Sequence, residues 1–346
     1  MENQKKVLYI TIGLMGVGKT TWAKGHCEGT GGLHLSSDGI RMRLYGTLKG
    51  QTTPVQNKEV FRLMQEGLDS FSNNDSLTTA YYDATNLNRK KRIQVYTWAK
   101  ARGITVIAKV FLKPLQDLLD CNDRRDEGEQ VPVDIIRERY KDLQVPRLGV
   151  DCDEVQVEGV MSDFNYEIYE GLSENHDSPH HAESIKEHIL LTLLGCQEFE
   201  EQPYYSQLLD VAGHHDLGKA VCRTEDTEDL PHKNYFREQN NGLYCTYMGH
   251  AEVSACYYLA NMNEEGVLDS PEAHRSLEAI YQHMNAHQGL SQKVINRNKL
   301  TAEDLELINL FKGIDRKGKR VNTDVYAEFN RIKDEYMAAK ATTKKA

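Results

Sequence analysis

The first half of the chain alternates between short apolar, β-branched runs and longer amphipathic stretches. The apolar runs predict strands at residues 7–12, 77–82 and 104–111. The amphipathic stretches predict helices at residues 19–27, 55–74, 89–102, 115–123 and 132–144. Strands that alternate with helices are typical of a parallel sheet with helices on both faces. We therefore expect an α/β fold in this half.

The pattern changes near residue 180, where apolar positions begin to recur at helical spacing. Helices are predicted at residues 181–195, 204–216, 249–262, 271–287, 301–315 and 322–339, and the one strand-like run is 242–246. Eleven of the 13 histidines follow residue 175, so composition changes together with pattern. We expect an α/β domain over residues 1–170 and an all-helical domain over residues 171–340. The boundary is predicted within Tyr169–Ser178.

Composition places the chain among ordinary globular proteins. Its 346 residues are enough for two domains that each bury a core. No apolar run approaches the roughly 18–20 residues that span a bilayer, and the N-terminus has no apolar signal-peptide segment. Seven cysteines without a Cys-x-x-Cys pair argue against a disulfide framework. We expect a cytoplasmic protein with no membrane partner, and the sequence does not indicate its oligomeric state.

The net charge of −10 is unevenly distributed. Residues 1–170 hold 23 basic and 24 acidic side chains, a net charge of −1. The remainder holds 42 − 23 = 19 basic and 52 − 24 = 28 acidic side chains, a net charge of −9. A near-neutral first half with local basic clusters can still bind a phosphate backbone, so nucleic acid is not excluded as a partner.

A glycine-rich motif, Gly-x4-Gly-Lys-Thr, follows the first predicted strand and opens a predicted helix, which is the context of a P-loop. Its backbone N–H groups can surround phosphates, and the helix N-terminus favours negative charge. Lys19 is expected to neutralise the β- and γ-phosphates, and Thr20 to bind Mg²⁺. The alternative, a glycine-rich turn that binds nothing, does not explain the Lys-Thr pair. We expect ATP or another nucleoside triphosphate to be held by Gly13, Gly16, Val17, Gly18, Lys19, Thr20 and Thr21.

Polar residues further along are candidates for the phosphate acceptor. Asp38 and Arg41 share one face if a helix starts here with Asp38 as its N-cap. The carboxylate could then accept a hydroxyl proton while Arg41 holds an acceptor phosphate; the alternative is a capping aspartate and a solvated arginine. Asp83 ends a predicted strand and thus faces the ligand crevice, as a Mg²⁺ or acceptor residue. The basic run 89–92 is either a phosphate-binding patch or a solvated helix start.

These motifs come in the order found in phage-type 5′-hydroxyl polynucleotide kinases, which residues 7–145 resemble. The matching segments are the P-loop, the Asp38 and Arg41 pair, and the runs 83–88, 109–111, 122–125 and 131–134. The resemblance implies that Asp38 is the general base on the 5′-hydroxyl and that Arg41 contacts the terminal phosphate of the acceptor.

The same resemblance assigns a lid arginine that stabilises charge on the transferring phosphate. By position this is Arg125. Two features depart from the family pattern. Cys121 stands where the family usually has an arginine, and the stretch 125–131 is one residue longer. Arg124 is therefore an alternative to Arg125.

The second half carries a His-Asp dipeptide, His215-Asp216, at the end of an apolar predicted helix. Adjacent imidazole and carboxylate groups can bind one divalent cation, and Mn²⁺, Fe²⁺, Co²⁺ and Ni²⁺ all suit mixed donors. The other candidate ligands each lie on a separate predicted helix, as in a bundle that points ligands inward; they are His188, His250, His283 and Asp315. We interpret His180, His181, His214 and His287 as structural or solvated histidines rather than ligands, and a purely structural role also stays open for His250 and His283.

This order of residues resembles the HD superfamily of metal-dependent phosphohydrolases over residues 180–320. The resemblance implies a first metal held by His188, His215, Asp216 and Asp315. It implies that His250 and His283 hold a second metal or contact the phosphate, and that Lys219 binds a phosphate oxygen. The metal would activate water for attack on phosphorus.

Together the resemblances imply a bifunctional enzyme that heals nucleic-acid ends, RNA in preference to DNA. It would phosphorylate 5′-hydroxyl ends and hydrolyse 2′,3′-cyclic phosphate or 3′-phosphate ends, which prepares both for a separate ligase. Two alternatives stay open. The chain is a kinase of nucleosides or small alcohols fused to a nucleotidase, or its second half is a nucleotide-sensing regulator.

Overall fold

The computed structural model describes residues 5–46, 52–126 and 130–343. The chain divides into two compact units. The first unit comprises Met1–Phe164, Tyr258–His274 and Ser291–Leu300, and the second comprises Asn165–Tyr257, Arg275–Leu290 and Thr301–Ala346. The first unit therefore takes two stretches from the second half of the sequence, and the division at residue 170 stays a prediction.

The first unit is built on a parallel sheet of five strands in the order β2-β3-β1-β4-β5. The strands are β1 (Val7–Ile12), β2 (Leu33–Ser36), β3 (Thr79–Asp83), β4 (Thr105–Phe111) and β5 (Glu154–Glu158). The predicted α/β fold is confirmed, but β2 and β5 escaped prediction. Strand β5 is an edge strand that buries only alternate residues, so its Glu-Val-Gln-Val-Glu sequence lacks a continuous apolar run.

Six helices precede β5 in the described chain. They are α1 (Lys19–Thr30), α2 (Ser37–Tyr45), α3 (Pro54–Asn73), α4 (Arg89–Lys100), α5 (Leu115–Asp123) and α6 (Val133–Tyr140). Strands β1 and β4 flank the point where the strand order reverses, and ligands of open α/β sheets bind beyond the carboxyl ends of such strands.

The remainder of the described chain is helical apart from one antiparallel pair of two-residue strands, β6 (Thr224–Glu225) and β7 (Cys245–Thr246). Its helices are α7 (Asn165–Leu172), α8 (Ile185–Cys196), α9 (Tyr205–His214), α10 (Lys219–Cys222), α11 (Pro231–Gln239), α12 (His250–Glu264), α13 (Pro271–Gln288), α14 (Gln292–Asn298), α15 (Ala302–Lys317) and α16 (Thr323–Thr343). The predicted helical class is confirmed. None of the helices in the described ranges combines the length and the apolar character that a membrane crossing requires.

Two arginines of the basic run 89–92 are structural. Arg89 and Arg92 are 2% and 1% exposed. The Arg89 guanidinium donates to the Val145 carbonyl at 2.8 Å, and Arg92 Nε donates to Asp151 at 2.8 Å. The sequence suggested either a phosphate-binding patch or a solvated helix start for this run. Neither interpretation applies to Arg89 and Arg92, because both side chains are buried and bonded within the protein.

The ion pair of Arg92 and Asp151 yields a stability prediction. Both side chains are buried, and the second Asp151 oxygen accepts the Arg147 N–H at 2.7 Å. We expect Asp151→Ala to lower the free energy of unfolding by about 3–5 kcal/mol, because it leaves a buried guanidinium unpaired. The matched control is Asp142→Ala, which breaks an exposed pair with Arg139 worth about 0–1 kcal/mol. Urea unfolding of both variants checks this, and equal losses would contradict it.

Candidate functional site

The P-loop lies between β1 and α1, as its sequence predicts. Gly16 and Gly18 have φ values of +83° and +97°, which favour glycine, and Gly18 is the N-cap of α1. A Cβ at Gly13 would lie 2.7 Å from the Phe111 carbonyl oxygen, so only glycine fits beside β4. Lys19 is buried and its ammonium donates to the Leu14 carbonyl within the loop. The loop thus places its lysine at the N-terminus of α1, the end of a helix that favours an anion.

A carboxylate on the neighbouring strand meets the P-loop threonine. Asp83 ends β3, is 3% exposed, and accepts a hydrogen bond from the Thr20 hydroxyl. Its Oδ2 also lies 3.0 Å from Nε2 of His34, a contact that the sequence did not suggest. Burial raises the pKa of the Asp83 carboxyl, but His34 and Thr20 outweigh that effect and the net pKa is lowered. An ionised carboxylate beside the threonine suits Mg²⁺ at a triphosphate.

The pair of Asp38 and Arg41 lies on α2. Their side chains are in contact, with Arg41 Nη1 2.6 Å from Asp38 Oδ1. Arg41 is 1% exposed and also donates to Asn57 at 3.1 Å, so the alternative of a solvated arginine is wrong. Asp38 is not the N-cap either. Helix α2 begins at Ser37, and its N-cap is Ser36, whose side chain accepts the Gly39 N–H. A buried arginine therefore holds a carboxylate that is 55% exposed.

The lid arginines follow α5. Asn122 is 4% exposed and exchanges two hydrogen bonds with the main chain of Val131, at 2.8 and 3.0 Å, which ties together the two ends of the lid loop. Arg124 is exposed and lies 3.3 Å from the sulfur of Cys121, whereas Arg125 is partly buried. Residues 127–129 of the longer stretch lie outside the described residues. The choice between Arg124 and Arg125 stays a prediction.

An open cavity of ≈ 990 Å³ adjoins the P-loop in the first unit. It is lined by Val17 and Gly18 of the loop, by Trp22 on α1, and by residues that follow β4 and β5. Phosphates bound at the P-loop would place the remainder of a nucleotide beside this cavity.

The second unit brings the predicted metal ligands together from five segments. His188 lies in the first turns of α8, directly after the capping box formed by Ser184 and Glu187. His215-Asp216 follows α9, His250 begins α12, His283 lies on α13, and Asp315 lies on α15. All six residues are at most 5% exposed.

Gly218 allows this assembly to close. A Cβ there would lie 2.3 Å from the His250 carbonyl oxygen and 2.8 Å from the Ser254 nitrogen. The Gly218 N–H donates to the Ser254 hydroxyl at 2.9 Å. Because the main chain approaches α12 so closely, Asp216 and Lys219 are held against the first turn of that helix.

Asp216 lies between two pairs of histidines. Its Oδ2 is 3.4 Å from Nε2 of both His188 and His215, and its Oδ1 is 3.3 Å from Nε2 of His250 and 3.8 Å from that of His283. Each pair of histidines together with Asp216 could hold a metal ion. One carboxylate therefore belongs to two donor sets.

The proton positions on three of these histidines follow from their hydrogen bonds. In each, Nδ1 contacts the main-chain carbonyl three residues earlier, with distances of 3.1 Å to Ala212, 2.6 Å to Tyr247 and 2.7 Å to Ile280. A carbonyl oxygen only accepts, so Nδ1 carries the proton and Nε2 of a neutral ring presents a lone pair. The three rings are His215, His250 and His283.

These lone pairs converge on one another. Nε2 of His250 and Nε2 of His283 are 3.1 Å apart, and burial beside His250 and His215 keeps the pKa of His283 well below its usual range. Asp315 Oδ1 is buried and lies 3.1 Å from His188 Nε2 and 3.7 Å from Lys319 Nζ. Imidazole lone pairs that face one another, with a buried carboxylate oxygen beside them, form a donor set that fits divalent cations.

Charge at the site is balanced around Asp216. Burial raises the pKa of this carboxyl, but the ammonium of Lys219 and the rings of His215 and His250 hold it well below the usual range. Lys219 Nζ lies 2.7 Å from Asp216 Oδ2. An ammonium beside the donor sets can bind an anionic oxygen such as that of a phosphate.

Three further contacts of this site escaped sequence reasoning. His287 Nε2 contacts the second oxygen of Asp315, although the sequence suggested only a structural or solvated role for this histidine. Glu183 Oε1 lies 3.4 Å from His188 Nδ1, and His176 Nε2 lies 3.0 Å from Lys219 Nζ. Neither Glu183 nor His176 belongs to a motif, so no sequence signal distinguished them.

Part of the chain is similar to a known protein family. Residues 8–145 match a family model described as an AAA domain (AAA_33). The matched stretch contains the P-loop, Asp83 and the pair on α2. Residues 8–145 thus form a P-loop kinase-like domain, which implies a nucleotide substrate, ATP, and Mg²⁺. The match ends before the histidine cluster.

Proposed function

We propose that this chain is a bifunctional enzyme that heals the ends of nucleic acids. The P-loop half would phosphorylate 5′-hydroxyl ends, and the helical half would hydrolyse 2′,3′-cyclic phosphate or 3′-phosphate ends. The observation that carries the proposal is the presence, in one chain, of a P-loop with its acidic partner and of a separate buried His and Asp cluster with a lysine beside it.

The pair on α2 supports a hydroxyl acceptor next to a phosphate. Asp38 is exposed and carries a carboxylate that can take a hydroxyl proton. Arg41 is fixed from behind by Asn57 and by the Phe61 ring, 5.8 Å from its guanidinium carbon. An arginine fixed in this way suits recognition of a phosphate oxygen, which a small alcohol lacks. This favours a 5′ end of nucleic acid over a small alcohol.

The donor sets around Asp216 support phosphoester hydrolysis. His188, His215, Asp216 and Asp315 would hold one divalent cation, such as Mn²⁺, Fe²⁺, Co²⁺ or Ni²⁺, and His250 and His283 would hold a second with Asp216. A cation there would supply an activated water and neutralise phosphate charge. Lys219 would bind a phosphate oxygen, because its ammonium is fixed beside Asp216 by a 2.7 Å contact.

The pairing of the two activities favours RNA. A 2′,3′-cyclic phosphate needs a 2′-hydroxyl, which DNA lacks. RNA cleavage that leaves such an end also leaves a 5′-hydroxyl, so one break presents both proposed substrates. The products would be the 5′-phosphate and 3′-hydroxyl that a separate ligase joins.

The test uses an oligoribonucleotide with a 5′-hydroxyl and a 2′,3′-cyclic phosphate, incubated with ATP and Mg²⁺ and, in parallel reactions, with Mn²⁺, Fe²⁺, Co²⁺ or Ni²⁺. We expect mass spectrometry to find a gained 5′-phosphate and an opened or removed 3′ end. Phosphorylation of nucleosides but not of the oligonucleotide would contradict the nucleic-acid reading. An unchanged cyclic end with all four metals would favour a nucleotide-sensing role for the second half. A matching oligodeoxyribonucleotide with a 3′-phosphate compares DNA with RNA.

A further inference from the structure

A second histidine-containing cluster of the second unit lies in the segment that precedes α8. It consists of His176, His181 and Glu183, and we call it the supporting group. His176 and Glu183 are 1% and 3% exposed. The two imidazole rings stack, with centroids 3.9 Å apart and planes 12° from parallel. The donor atoms of the group lie close enough together to suggest a metal site of their own.

The contacts of these atoms argue for another role. His176 Nδ1 contacts the Glu183 carbonyl at 2.8 Å, and its Nε2 contacts Lys219. Glu183 Oε1 accepts from His181 Nδ1 at 2.7 Å. Both nitrogens of His176 are therefore engaged, and one of its neighbours is an ammonium that would repel a cation. The nitrogen lone pairs lie in the planes of the two rings. Because the rings are stacked nearly parallel, these lone pairs do not point toward one shared metal position.

Glu183 faces a proposed metal ligand. Its Oε1 lies 3.4 Å from Nδ1 of His188, a buried nitrogen with no hydrogen bond to any other described atom. The carboxylate is fixed in place, because its Oε2 accepts the N–H groups of Ala182 at 3.1 Å and Arg320 at 3.0 Å. A carboxylate behind the far nitrogen of a metal-binding histidine sets the tautomer and the ring orientation, and increases ligand basicity.

His176 faces the proposed phosphate-binding lysine. Its Nε2 lies 3.0 Å from Lys219 Nζ. Burial and the neighbouring ammonium lower the pKa of His176 to about 3, so the ring is neutral. Since Nδ1 donates to the Glu183 carbonyl, Nε2 presents a lone pair that accepts from the ammonium. The lysine is thus held between His176 and Asp216.

We propose that the supporting group positions the site from outside, with Glu183 orienting His188 for the metal and His176 orienting Lys219 for the phosphate. This inference rests on the proposed phosphohydrolase function. Neither residue touches substrate, so both are positioning residues. Two separable consequences follow, one for metal affinity and one for phosphate affinity.

The first test titrates Co²⁺ into metal-free full-length protein and records the visible absorption of the ion. Glu183→Gln is expected to weaken Co²⁺ binding by about 10- to 100-fold and to shift the absorption band. The matched control is Glu174→Gln, which replaces an exposed carboxylate of the same segment with a carboxamide. It is expected to bind Co²⁺ with the affinity of the parent. If Glu183→Gln unfolds, Glu183→Asp keeps the charge, withdraws the oxygens by one methylene, and is expected to fold and to show the same weakening.

The second test titrates inorganic phosphate into the Co²⁺-loaded proteins. His176→Leu is expected to bind Co²⁺ like the parent but phosphate about tenfold more weakly, because the ammonium loses an acceptor. His176→Gln, whose amide oxygen can accept from Lys219, is expected to recover part of that loss.

The outcomes separate the two proposals. A parent protein that binds no Co²⁺ would remove the phosphohydrolase function and this inference with it. A parent that binds Co²⁺, with parent-like affinities for both ions in the Glu183 and His176 variants, would overturn the positioning role alone.

Discussion

Replacing Lys19 with alanine is expected to abolish phosphoryl transfer while leaving phosphoester hydrolysis at the parent rate. Lys19 is buried in the P-loop, where its ammonium donates to the Leu14 carbonyl. Removing a preorganised positive charge from a transferring phosphate lowers kcat by at least about 100-fold. The measurement is transfer of labelled γ-phosphate to a 5′-hydroxyl oligoribonucleotide, beside phosphate release from a 2′,3′-cyclic nucleotide.

The matched control is Lys24→Ala, which removes an exposed lysine from the same helix, α1. It is expected to leave both activities unchanged. Loss of both activities in Lys19→Ala would contradict independent sites, provided that its thermal unfolding resembles that of the parent.

Replacing Asp216 with asparagine is expected to lower phosphoester hydrolysis while leaving phosphoryl transfer at the parent rate. Asp216 offers one oxygen to each pair of histidines, and an asparagine would turn an N–H₂ group toward one of them. Metals supply several kcal/mol of transition-state stabilisation, and each 1.4 kcal/mol is a factor of ten, so hydrolysis should fall by about 1,000-fold or more. Elemental analysis of the purified variant is expected to find less metal than in the parent, while 5′-phosphorylation continues.

Asp229→Asn serves as the control. Asp229 is an exposed carboxylate of the same unit, and its Oδ1 accepts a hydrogen bond from the side-chain amide of Asn234 at 2.6 Å. It should keep the metal and both activities. An Asp216→Asn protein that hydrolyses like the parent would show that the cluster is not where hydrolysis occurs.

The sequence was most informative where backbone geometry restricts the residue type. The P-loop could be predicted because glycine is favoured at Gly16 and Gly18 and because β1 is a largely apolar, β-branched and aromatic run. Strand β2 could not, since four residues that include His34 and Ser36 do not form an apolar run. Sequence spacing likewise does not distinguish a buried arginine from a solvated one. Arg41 is buried only because α3 brings Asn57 and Phe61 against it.

In the helical half, the proposed ligands could be chosen because each candidate fell on its own predicted helix. The residues that hold those ligands could not be chosen. Glu183 and His176 precede α8 in an irregular segment, and their partners, His188 and Lys219, lie up to 43 positions away. Such contacts depend on how helices pack, which hydrophobic periodicity does not report.

The shared carboxylate of Asp216 has a consequence for cooperativity. If each pair of histidines holds one cation, the two binding events involve one common ligand and cannot be independent. The first ion fixes the carboxylate for the second but also withdraws its charge, and the balance sets the sign of the coupling. Linkage requires that the effect be reciprocal: the factor by which one ion changes the affinity of the other is the same in both directions. The affinity of one site measured with the other site empty and again with it filled would therefore give one interaction free energy, which is the same whichever site is titrated.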